Sequence, residues 1–65
     1  MKTEHLKKAY ASVETVLDEL GAAQRENPSN AAVIFSLVEE ALKLDAKIHA
    51  TLSAAAQAAA RTGEL

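Results

Sequence analysis

Between Ile34 and Ala56 the apolar residues fall on two adjacent heptad seams, and this width constrains the chain more than any other feature. The first seam is Ile34, Leu37, Ala41, Leu44, Ile48, Thr51 and Ala55. The second is Phe35, Val38, Leu42, Asp45, His49, Leu52 and Ala56. Spacings of three and four residues mark an amphipathic helix, and two such seams side by side cover roughly 200° of its circumference. The opposite side of that helix carries Ser36, Glu39, Glu40, Lys43, Lys47, Gln57 and Arg61. One neighbouring helix covers one seam, so a helix of this kind calls for more than one partner.

The first half of the chain supplies one partner. Leu6, Tyr10, Val13, Leu17, Leu20 and Gln24 repeat with heptad spacing, and Ala9, Val16 and Ala23 widen the stripe along one flank to roughly 140°. Lys8, Ser12, Glu14, Thr15, Asp18 and Glu19 fill the remaining circumference. A helix is expected over about 3–25, with Thr3 as its cap and Glu4 in the first turn. Gly21 lies inside it, at a cost of about 1 kcal/mol relative to alanine, which suggests close approach of another backbone or fraying toward the turn.

The turn is expected at about 26–28. Pro28 disfavours helix at Asn27, yet proline suits the first helical position and asparagine the cap before it. A second helix is therefore expected from Pro28 to about Arg61, with Gly63 just past its end as a stop. A connection this short makes the helices antiparallel neighbours in one hairpin domain spanning 1–65. Centred on Asn27, the hairpin sets, within a few residues, Leu6 near Ile48, Tyr10 near Leu44, Val13 near Ala41, Leu17 near Leu37 and Leu20 near Ile34. The fold class is all-α: an antiparallel two-helix hairpin, dimerising into a four-helix bundle so that the uncovered seam is buried. The Ala54 to Ala60 stretch outruns the first helix, as a docking strip for another subunit or a projecting tail.

Composition supports this class. Fifteen alanines among 65 residues favour helix, and 49% apolar with 25% charged residues suits a folded chain. With no cysteine, one Phe, one Tyr and no Trp, a lone core of this size lacks disulfides, thiolate metal sites and large side chains. The sequence begins with charged residues and contains no run long enough to span a bilayer, so the expected location is the cytoplasm. A net charge of −2 gives no general attraction to nucleic acid, and Lys2, Lys7 and Lys8 form only a small basic spot.

The chemistry-bearing residues are sparse. Asp45 and His49 lie four apart within the apolar arc and are expected to pair by a hydrogen bond at a bundle interface. The hairpin brings His5 to a similar height, which makes His5, Asp45 and His49 a weak candidate metal set. The Glu-x-x-His pattern of carboxylate-bridged di-iron bundles is absent: Lys2 precedes His5 by three and Ala46 precedes His49 by three. There is no nucleophile elbow, glycine-rich phosphate loop, cysteine nucleophile or catalytic carboxylate pair, so no enzyme, cofactor or small-molecule substrate is expected. Tyr10 is expected in the hairpin core with its hydroxyl at the edge, and Phe35 either in a dimer core or as an anchor for a foreign protein.

The format resembles that of the Rop family, dimers of helical hairpins that bind RNA duplexes. The likeness lies in length, helix count and expected dimer, with no family motif matched residue by residue. It implies an RNA-binding regulator as an alternative reading. The first expectation is a non-enzymatic interaction module, a small homodimer of the kind found among bacterial or phage regulators and chaperones. It would bind and modulate a larger protein. Its dimer or partner interface is expected at Phe35, Val38, Leu42, Asp45, His49 and Leu52; if the dimer buries these, the outer face with Glu39, Glu40 and Lys43 becomes the candidate partner surface. A structural subunit of a larger helical assembly is a further alternative.

Overall fold

A computed structural model describes residues 2–63, with side chains to residue 60. Helix α1 spans Glu4–Glu26, a 3₁₀ turn follows at Pro28–Asn30, and helix α2 spans Ala31–Gly63. The two helices run antiparallel as a hairpin 57 Å long, 15 Å wide and 12 Å thick.

The helix ends use different groups from those the sequence suggests. Thr3 makes no side-chain cap. Its carbonyl instead accepts from the Lys7 amide at 2.9 Å. Asn27 does not cap the following segment. Its Nδ2 donates to the Ala23 carbonyl at 3.0 Å, beside its own backbone amide on the same oxygen. The side chain thus closes α1 rather than opening α2, because the exposed carbonyls at a helix end need donors as much as the next helix needs a cap. Pro28 begins a single 3₁₀ turn, and the α-helix proper starts three residues later. Gly63 lies inside α2 rather than beyond it, and no described glycine has positive φ. Gly21 has no backbone against it: a Cβ there would meet only the Arg25 guanidinium at 3.8 Å.

On α1, Leu6, Tyr10, Leu17, Leu20 and Gln24 are half-buried and Val13 is buried, so the expected seam faces α2. On α2 the covered line is neither of the two seams. Ala31, Ile34, Val38, Ala41, Asp45, Ile48, Leu52 and Ala55 are the half-buried positions among the described side chains, and from Ile34 onward they alternate between the seams. Helix α1 lies along the middle of the wide arc instead of on one edge. There it shields the inner residues of both seams at once, whereas an edge position would leave one seam wholly in water. Leu37 and Leu44, expected under α1, stay 51% and 50% exposed.

The pairing also runs further along α2 than a turn centred on Asn27 implies. Gln24 Nε2 donates to the Ala31 carbonyl at 3.3 Å near the turn. Tyr10 stands between Asp45 and His49, up to about a turn beyond Leu44. The lengthened turn at Pro28–Asn30 accounts for the direction of the slip, since it spends residues before α2 begins.

The hairpin is a single layer. Val13, 8% exposed, is its one buried residue among those described. The chain exposes 5086 Å², against about 4,000 Å² for a compact folded monomer of 6.9 kDa. Its radius of gyration is 15.8 Å, where about 11 Å would suit a compact chain of this length.

Candidate interaction surface

Because α1 lies over the centre of the apolar arc, apolar side chains emerge on both faces of the hairpin. The contact of Tyr10 with His49 fixes which flanks share a face, and at about 100° per residue the rest follows. On the tyrosine face stand Phe35 and Leu42 of α2, 53% and 51% exposed, with Lys7, Tyr10 and Glu14 of α1. On the reverse face stand Val33, Leu37 and Leu44 of α2 with Ala9, Val16 and Ala23 of α1. These are the alanines and valine that the sequence places along one flank of the first helix.

The six residues expected at an interface therefore separate. Val38, Asp45 and Leu52 are half-buried along the line that α1 covers, while Phe35, Leu42 and His49 remain exposed on the tyrosine face. Leu37, Leu44 and Val16, not expected there, form the larger apolar strip on the reverse face. The signal for them was present in the sequence: an arc wider than one helix can cover leaves residues at both of its edges.

Among the described residues, Asp45 carries the least comfortable group. Its Oδ1 is buried and has no hydrogen-bond partner. The expected Asp45–His49 hydrogen bond is not formed. His49 turns instead to Tyr10, with ring centroids 6.1 Å apart and planes tilted by 37°. The group facing Asp45 is the Glu14 carboxyl across the seam. Two ionised carboxylates can only accept, so a hydrogen bond between them requires a proton. Asp45 accordingly holds the Glu14 carboxyl above its ordinary range, by hydrogen bonding to the protonated form and by charge repulsion. The Tyr10 hydroxyl, which reaches Glu14, is also raised, with Asp45's charge the largest cause. The sequence places Glu14 on the solvent side of α1. Its spacing of four from Tyr10 is the only hint that it reaches the seam.

His5 lies about a turn and a half before Tyr10 along α1 and about 140° around it, which directs it to the reverse face. Among the described residues no three His, Cys, Asp or Glu side chains form a group that could hold a metal, so His5, Asp45 and His49 are not brought together.

Where α1 begins, α2 runs on beside it and leaves a groove of about 420 Å³ on the tyrosine face, lined by Thr3, Lys7, His49, Leu52, Ser53, Ala55, Ala56 and Ala59. Elsewhere Ser12, Thr15 and Thr51 return their hydroxyls to the carbonyl four residues back. Glu40 and Lys43 form an exposed ion pair at 3.6 Å, consistent with a solvated outer face. No described helix is long and apolar enough to cross a membrane. No known protein family, curated protein or solved structure matches this chain.

Proposed function

We propose that this chain is a non-enzymatic interaction module: a small helical homodimer whose two hairpins pack into a four-helix bundle and which binds and modulates a larger protein. The observation that carries the reading is the excess surface. The chain exposes 5086 Å², about 1,100 Å² more than a compact chain of its mass would, and a standard protein interface removes about 800 Å² per partner. A second hairpin therefore accounts for most of the surplus. Two-layer packing is also the ordinary way for helices to bury their apolar sides.

One apolar face of each hairpin is then occupied by the other copy, and the remaining face of each stays available to a larger partner. Phe35, an exposed aromatic beside Leu42, is the anchor that suits recognition by a helix or groove of another protein. Phe35→Asp tests the partner-binding part of this reading in a pull-down from the native host. Expected is a dimer of unchanged helicity that no longer captures the protein retained by the unaltered chain. Unchanged capture would count against Phe35 as the anchor.

A further inference from the structure

We infer that a second copy of this chain covers the reverse face of the hairpin, the strip made by Ala9, Val16, Ala23, Val33, Leu37 and Leu44, and not the face that carries Phe35 and Leu42. The inference rests on the homodimer reading above and assigns its surface.

Charge separates the two faces. Interface cores are depleted of charged side chains, because each must be stripped of water on association. On the tyrosine face Lys7 and Glu14 flank Tyr10, and Asp45 lies beneath them with a carboxylate oxygen already lacking a partner. A second chain laid there would strip water from these charged groups as well. The reverse strip holds alanine, valine and leucine; His5 stands at its far end, a turn before Ala9, and the charged Glu19, Glu40 and Lys47 stand at its edges. Val16, Val33, Leu37 and Leu44 keep between 47% and 67% of their surface in water, which is apolar area available for burial.

Shape points the same way. A two-fold interface joins one patch to a copy of itself, so the patch must be self-complementary. Ala9, Val16 and Ala23 are seven residues apart, as are Leu37 and Leu44, so each set stays in line along its helix. Glu14 reaches Asp45 and Gln24 reaches Ala31, which sets Val16 at about the height of the midpoint between Leu37 and Leu44. Val16, Leu37 and Leu44 therefore lie at the centre of the strip, with Ala9 at one end and Ala23 beside Val33 at the end near the turn. Bulk meets bulk at the centre, and the alanines let the backbones approach at the ends.

Leu42 and Leu44 provide a matched test. They are the same residue type, two positions apart on one helix, equally exposed at 51% and 50%, and on opposite faces. Sedimentation equilibrium on Leu44→Glu and Leu42→Glu, beside the unaltered chain, reads the assignment directly. Expected for Leu44→Glu is a dimer weakened on the order of 100-fold or more, because two carboxylates would be buried per interface. Leu42→Glu is expected to leave the dissociation constant within about threefold. Val16→Lys, on the other helix, serves as the second variant if Leu44→Glu loses its helical circular dichroism, and should dissociate the dimer likewise. If Leu42→Glu dissociates the dimer while Leu44→Glu and Val16→Lys leave it intact, the assignment is overturned and the homodimer reading stands. Equal effects of the two leucine variants overturn it as well. An unaltered chain that stays monomeric overturns both.

Discussion

The two faces of this hairpin are built from the same two helices and expose leucines to the same degree, yet they differ in what lies between the leucines. On the reverse face Val16, Leu37 and Leu44 stand with the alanines of α1 in a strip without carboxylates, and His5 lies beyond Ala9 at its end. On the tyrosine face Phe35 and Leu42 are followed by Tyr10, Glu14, Asp45 and His49, two of which are carboxylates at one height on the seam. Apolar exposure alone therefore does not pick out an interface. The charge that would have to be desolvated with it decides.

The comparison can be broken most severely from the reverse face. Val16→Lys should dissociate the dimer and leave an isolated hairpin with one buried side chain among those described, lowering stability by about 3 kcal/mol or more, measurable by urea unfolding at fixed protein concentration. Loss of concentration dependence in the unfolding midpoint should accompany it. An unchanged midpoint would mean that the reverse face is not covered.

A smaller effect of opposite sign is expected on the seam beside the tyrosine face. Asp45→Leu removes a buried oxygen that has no partner and continues the line of Ile34, Val38, Ala41 and Ile48. It should stabilise the fold by about 1–2 kcal/mol, seen as a raised urea midpoint. Destabilisation would show that Asp45 is paired in a way this arrangement does not contain. Gly21→Ala should add up to about 1 kcal/mol in the same measurement, since the new methyl meets only a mobile guanidinium at 3.8 Å. A loss there would indicate that another chain approaches Gly21 closely, and would place a partner on the tyrosine face.

The carboxyl pair adds a pH dependence whose sign is fixed. Glu14 binds its proton more tightly in the fold than in the unfolded chain, because Asp45 faces it. The resulting stabilisation is complete below the ordinary value of 4.5 and is lost as pH rises through the raised value. The melting temperature should therefore fall slightly from pH 4.5 toward neutrality, and Asp45→Asn should flatten that slope. A melting temperature that rises with pH over this interval would contradict the pairing. The smallest effect belongs to the outer face: Lys43→Ala breaks an exposed ion pair with Glu40 and should change stability by less than about 0.5 kcal/mol.

Much of this architecture is legible in the sequence, and the exceptions have physical reasons. The periodicity of Leu6 to Gln24 and the Asn27-Pro28 break specify two helices and a turn, because helix period and proline geometry are local properties. The seam of α2 is not legible in the same way. Its apolar arc is wider than one contact, so the line that α1 takes is chosen by the packing of the pair. Periodicity marks Ile34 and Ile48 as apolar but does not say that Val38 and Leu52 are covered while Leu37 and Leu44 are not. The Tyr10–Glu14–Asp45 cluster was hidden for a related reason. Glu14 lies on the polar side of its own helix, and it meets Asp45 where the pairing runs further along α2 than the expected register. Asn27 shows the limit of single-residue rules: the side chain suited to cap the second helix bonds back to Ala23 and closes the first.

The central claim is that this hairpin is half of a bundle. Sedimentation equilibrium of the unaltered chain at micromolar concentration tests it most directly. The expected result is a mass twice 6.9 kDa, falling toward the single-chain value on dilution. A folded, helical species that holds 6.9 kDa across the whole concentration range would contradict it.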